Sequence, residues 1–265
     1  MSDGSPTLAR RLLGPPRLTE PQPVPKRKNA LNAYVGLPTT GWTGWLVLAG
    51  LATAIVLVGI GTVIVALFDP ELDTTAGRDA AQLAVGLGLG GTALLFALAD
   101  ASGSFRGAVA RLGLARFSKR ALWMGALAWI AYLAIARLLV PFLDPQQEDV
   151  TNELGVDEPT ALSAIFAGIL IVIVAPLAEE MFFRGFVYAG LRRAVSLLPA
   201  ATISGMIWGS LHLASGNVGV AIQLSVFGVI LAWLYERSGT LWAPILAHLI
   251  NNAIAFTLLM AGVEA

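Results

Sequence analysis

The chain has 265 residues, of which 56% are hydrophobic and only 13% charged, with a mean hydropathy of +0.74. Soluble domains carry roughly 25% charged residues, so the polar surface needed to cover a water-soluble globule is lacking and the chain reads as a membrane protein. Its 17 basic and 17 acidic side chains cancel, which leaves no basic face for a nucleic-acid backbone, and the absence of cysteine excludes disulfides, thiol nucleophiles and Cys-based zinc sites.

Residues 1–40 come first and differ from the rest. Seven prolines (6, 15, 16, 21, 23, 25 and 38) are mixed with Arg10, Arg11, Arg17, Lys26, Arg27 and Lys28. This composition cannot bury a core and predicts a disordered basic tail. It has no apolar h-region followed by a small-residue cleavage site, so it does not read as a secretory signal.

From Gly41 onward, uncharged apolar runs alternate with short polar stretches. A bilayer span needs about 20 such residues, and seven spans are predicted, at about 42–68, 80–99, 121–142, 160–191, 197–214, 217–235 and 242–262. The expected organisation is a tail (1–40), N-terminal transmembrane helices (41–143) and a C-terminal catalytic-type unit (144–265).

Loop charges orient the set. Residues 69–79 hold Asp69, Glu71, Asp73 and Asp79 against Arg78, and residues 144–158 hold six acids and no base. Residues 104–120 instead carry Arg106, Arg111, Arg116, Lys119 and Arg120 without an acid, and Arg192, Arg193 and Arg237 mark two further turns on the same side. The positive-inside rule then puts the N-terminus in the cytoplasm and, after seven spans, the C-terminus outside. The 104–120 stretch interleaves its bases with Phe105, Val109, Leu112, Leu114 and Phe117, which suits either a plain basic loop or a helix lying on the anionic leaflet. Trp42, Trp45, Trp123 and Trp242 sit near span ends, where an aromatic belt is expected.

Ionisable groups inside a span cost at least about 2.5–3.5 kcal/mol each on insertion scales, so they call for a reason. Arg137 sits near a span end and can snorkel to the headgroups. The rest cluster in the last four spans: Glu179, Glu180 and Arg184, then His212, then His248 with Asn252. At about 1.5 Å per residue, Glu180 lies roughly 18 Å from Arg192, His212 roughly 22 Å from the turn at 197, and His248 and Asn252 roughly 9 and 15 Å from Trp242. These depths overlap, so the groups can meet if their helices are neighbours.

Helix geometry separates the roles. Glu179 and Glu180 point about 100° apart. Glu180 and Arg184 are spaced i,i+4 with the acid first, the favourable order for an ion pair, which leaves Glu179 facing a cavity. His248 and Asn252 share a face by the same spacing. Pro176 removes a backbone hydrogen bond one turn before the glutamates and can open the helix to water. The set suits hydrolysis by an activated water, with Glu179 and a histidine as base and His248 and Asn252 as oxyanion donors. Glu179, His212 and His248 equally supply three ligands of the open zinc type. A proton-coupled carrier would use the same residues.

The motifs Glu179-Glu180-Met181-Phe182-Phe183-Arg184, Trp208-Gly209-Ser210-Leu211-His212 and His248-Leu249-Ile250-Asn251-Asn252 occur in this order, each in an apolar span. The chain thereby resembles the CPBP (Abi) family of CAAX prenyl endopeptidases and bacteriocin-processing or immunity proteins. Trp208 stands where Phe is common, and the resemblance covers about residues 160–262. It implies an all-α polytopic intramembrane endopeptidase, of the multi-pass bacterial plasma-membrane type, whose family-type core is formed by the last four helices. Its partners would be the lipid bilayer and a membrane-associated protein or peptide substrate; prenylated CAAX substrates belong to eukaryotic members. By the resemblance, Glu179 with His212 activates water, His248 and Asn252 form the oxyanion hole, and Glu180 and Arg184 support the site. Both a metalloprotease and a metal-free glutamate mechanism are associated with the family. A non-catalytic immunity or partner-binding role uses the same fold.

Overall fold

A computed structural model describes residues 37–146 and 161–261, apart from residues 39, 43, 73 and 215. The expectations for residues 1–36 and for the acidic stretch 147–158 lie outside these. The described residues form eight helices and, among them, no strand. These are α1 (Gly44–Ala66), α2 (Thr75–Asp100), α3 (Phe105–Arg111), α4 (Lys119–Leu143), the long α5 (Leu162–Ala194), α6 (Leu197–Ser210, prolonged by a 3-10 turn Leu211–Ala214), α7 (Val218–Ser238) and α8 (Trp242–Met260). All but α3 are long and apolar enough to cross a membrane. The seven predicted spans therefore stand, with ends displaced by a few residues, and the chain is an all-α multi-pass membrane protein.

Local chemistry sets the ends. Thr74, Ser104 and Asn217 cap α2, α3 and α7 by accepting hydrogen bonds from the backbone N–H three residues on. Gly239, at φ +68°, ends α7 in the left-handed conformation that glycine adopts without cost.

Burial runs opposite to that of a water-soluble bundle. Phe68, Phe142, Trp45 and Leu162 are among the most exposed side chains, whereas Glu180, Arg184, Thr92 and Ser204 are fully buried. Apolar side chains face outward because lipid is their solvent, and polar ones face inward because only the protein can satisfy them.

Helix α5 runs through the centre. From Phe182 to Gly190 every side is buried, against α1, α2, α6 and α7, while α8 packs on the preceding turns. It is not a uniform α-helix: Leu170–Val174 and Glu180–Tyr188 are π-helical, a form in which hydrogen bonds run to the fifth residue and which often marks functional sites. Beside it α6 and α7 pack backbone to backbone across Gly205 and Gly209. A Cβ on Gly209 would stand 2.6 Å from the Ala221 carbonyl and one on Gly205 2.8 Å from that of Ser225. Such small-residue spacing lets helices approach closely in lipid, where dispersion and polar contacts replace the hydrophobic effect.

The basic stretch 104–120 is part helix and part turn. Its first part is the seven-residue helix α3, and residues 112–116 form a turn clasped by the α7–α8 connection. Tyr235 donates to the Leu112 carbonyl (3.2 Å), the Leu241 N–H to Gly113 (3.0 Å) and the Trp242 indole to Leu114 (2.9 Å). Leu112 is buried while Phe105 and Phe117 are exposed. Of the four tryptophans expected in an aromatic belt, Trp45 and Trp123 are exposed, whereas Trp42 is buried and donates to the Phe186 carbonyl at 3.0 Å, and Trp242 is half-buried, because carbonyls of the protein lie within their reach.

Candidate active site

The site is built on α5, α6 and α8. Arg184 Nη1 donates to Glu180 Oε1 at 2.8 Å, with both side chains fully buried, so the ion pair expected from the i,i+4 spacing is present. The guanidinium also donates through Nη2 to the Gly228 carbonyl of α7 (3.3 Å) and lies 4.7 Å from the centre of the Trp208 ring. Arg184 thus binds three helices together, and its charge rests between a carboxylate and an aromatic face.

The same Glu180 oxygen lies 3.0 Å from Nδ1 of His248. An ionised carboxylate only accepts, so Nδ1 carries the proton and Nε2 is turned the other way. There it faces Glu179 Oε2 at 4.0 Å. Sequence reasoning placed His248 on a face with Asn252; it did not disclose that Glu180 orients the ring. Glu179 is the accessible member of the acidic pair, its side chain 16% exposed against 0% for Glu180. Its Oε2 accepts a hydrogen bond from the Trp208 indole N–H.

His212 lies in the 3-10 turn after α6. Its Nδ1 is 3.2 Å from the Trp208 carbonyl, which can only accept, so Nε2 is the nitrogen left for other partners. The rings of His212 and His248 both meet the Trp208 indole edge-on, at 5.1 and 5.2 Å between centres. Glu179, His212 and His248 are therefore gathered around one indole. Among the described residues, no group of three or more His, Asp or Glu side chains is disposed to hold a metal ion. The zinc-ligand alternative finds no matching ligand set in this geometry.

Asn252 ties α8 to α5. Its Nδ2 donates to the Ile171 carbonyl of α5 at 3.0 Å. The cause lies in α5: the Ala175 N–H reaches back to Leu170, and Pro176 has no N–H to give. The Ile171 carbonyl is left without its helical donor and Asn252 supplies one. The Pro176 opening thus takes the form of a π turn stitched to α8. Because an amide carries two N–H groups, the second is not needed for this bond.

A second buried cluster escaped sequence reasoning. Arg192 grips Glu236 in a fork, Nε to Oε2 at 3.0 Å and Nη2 to Oε1 at 2.8 Å, and Tyr188 donates to the same Oε2. Arg192 enters the sequence reading only as a loop charge and Glu236 not at all, and since the partners are 44 residues apart on different helices, no local spacing signals the pair. The indole bond to Glu179 was likewise not visible, although Trp208 lies in a recognised motif.

With the geometry described, similarity to known proteins can be set beside it. The "Putative membrane peptidase YdiL" of Bacillus subtilis is 32% identical over 80 residues, 30% of this chain and 32% of that protein. The human "CAAX prenyl protease 2" is 30% identical over 109 residues, 35% of this chain and 33% of that protein. The chain thus spans about a third of the length of each of these relatives. No solved structure matches it significantly. Residues 161–254, which contain every site residue named above, match the model described as type II CAAX prenyl endopeptidase Rce1-like.

Proposed function

We propose that the chain is an intramembrane endopeptidase that hydrolyses a peptide bond of a membrane-associated or lipidated protein or peptide. The observation that carries this reading is the cluster of Glu179, Glu180, Arg184, Trp208 and His248, buried among helices otherwise lined by apolar side chains.

The 4.0 Å between Glu179 Oε2 and His248 Nε2 exceeds a hydrogen bond and suits one bridging water. Glu179, assisted by His212, takes a proton from that water as its oxygen attacks the scissile carbonyl carbon. The carbonyl oxygen becomes an oxyanion. His248 as imidazolium, with Nδ1 anchored on Glu180, donates to it from Nε2, and the spare N–H of Asn252 is a second donor. When the C–N bond breaks, the proton held by Glu179 passes to the leaving amine. Placing the site within the membrane suits a substrate whose cleaved bond lies close to a lipid anchor or a membrane span. The N-terminus is placed in the cytoplasm on the loop charges.

The test compares the termini of the membrane proteome between cells carrying the wild-type chain and Glu179→Gln at equal expression. Termini present only with the wild type are expected. Identical sets would overturn the hydrolase reading, and substrate-dependent proton flux in liposomes would then favour a carrier. Cleavage is expected to survive chelation; loss under chelator with recovery on adding zinc would assign Glu179, His212 and His248 as ligands instead.

A further inference from the structure

Trp208 makes more contacts with this site than any role in packing requires. It is buried to 1%, and its ring lies in contact with Arg184, His212, His248 and Phe227. Its one polar atom, the indole Nε1, donates to Oε2 of Glu179, the same oxygen that faces His248. Glu179 is the less buried of the two carboxylates, its side chain 16% exposed, and a glutamate side chain has three rotatable bonds. An acceptor held by a fixed donor is confined to one rotamer, whereas an unheld one samples several, and water attack requires a single alignment.

The indole is closely packed. Gly205 and Gly209 flank it on α6, and their lack of side chains lets α7 approach so closely that Phe227 packs against the ring. The Trp208 carbonyl meanwhile receives His212, so one residue sets the positions of a carboxylate by its side chain and of an imidazole by its backbone. Phenylalanine at this position would preserve the aromatic contacts and could not donate to Glu179.

We propose that Trp208 is a positioning residue for the reaction: its indole N–H fixes the Glu179 carboxylate in the orientation that presents it to the attacking water. The inference rests on the hydrolase reading above and concerns the group that holds its base.

The experiment has a structural and a kinetic arm. The seven tryptophans of the full chain are labelled with nitrogen-15 in detergent micelles, and the Trp208 indole signal is identified by its disappearance in Trp208→Phe. A carboxylate acceptor deshields the indole proton, so this signal is expected downfield and is expected to move upfield in Glu179→Gln. In the kinetic arm, Trp208→Phe and a benzothienylalanine at position 208, which keeps the bicyclic shape but has sulfur in place of N–H, are compared with the wild type. Both are expected to lose roughly tenfold to a hundredfold in kcat, the scale of a hydrogen bond to a charged group, with KM little changed and thermal stability retained by the benzothienyl variant. A Trp208 signal that Glu179→Gln does not move overturns the proposal, and so does a benzothienyl variant with wild-type kcat, since shape alone would then suffice. Absence of any cleavage by the wild type overturns the hydrolase reading instead, while the indole signal still judges the bond.

Discussion

His248 Nδ1 and Arg184 Nη1 converge on a single oxygen of Glu180, at 3.0 and 2.8 Å, across helices that are 64 residues apart in sequence for the histidine and the arginine (248 less 184). One buried carboxylate thereby orients the imidazole of α8 and neutralises the guanidinium of α5. Glu180 is the hub of the site, and Glu179 beside it is left with an indole partner and access to water.

Removing the guanidinium from this hub leaves a buried carboxylate without its main counter-charge. Arg184→Met is expected to destabilise the protein by about 3–5 kcal/mol, the usual cost of breaking a buried pair from one side. Adding Glu180→Gln to Arg184→Met is expected to recover part of that loss, since no uncompensated charge then remains. The temperature at which monodisperse protein is lost in detergent measures both; a double variant less stable than Arg184→Met would show that the pair is not the stabilising element.

The α6–α7 seam has no room for a side chain at Gly209, where a Cβ would meet backbone 2.6 Å away. Gly209→Val is expected to cost at least about 1–3 kcal/mol by overpacking and to lower the yield of folded protein, because α7 must move off α6. Gly44→Val, at a position with nothing within 4 Å of the added Cβ, serves as the control in the same thermal assay and is expected to leave stability nearly unchanged.

Asn252 completes a helix that Pro176 interrupts. Asn252→Leu leaves the Ile171 carbonyl without a donor and is expected to cost about 1–3 kcal/mol of stability, the desolvation penalty of one buried acceptor. Asn252→Gln, able to donate from a longer stem, is expected to be milder. Equal stability of the leucine variant and the wild type would show that the bond to Ile171 contributes nothing.

Much of this molecule was legible without coordinates. The seven spans follow from the length and polarity of each apolar run, because the bilayer imposes a thickness on every helix independently. The Glu180–Arg184 pair follows from spacing on one helix, since residues four apart share a face. That Glu180, Arg184 and His248 would be polar and buried was visible as well, from the cost of placing charge in lipid.

What remained hidden concerns partners on different helices. That Glu180 binds His248, that Trp208 holds Glu179, that Asn252 serves the Ile171 carbonyl and that Arg192 reaches Glu236 all depend on how helices rotate and approach. Two features of α5 add to this, the π turns around Pro176 and from Glu180 to Tyr188, which shift side-chain directions from the regular α-helical wheel. The sequence by itself determined the seven long apolar helices, their apolar exteriors and the polar cluster of Glu179, Glu180, Arg184 and His248 among them, because each is a property of one segment in a lipid solvent. Only the tertiary structure decided which of those groups touch, because a hydrogen bond about 3 Å long is set by packing between helices, and close approach at Gly205 and Gly209 brings those helices into register.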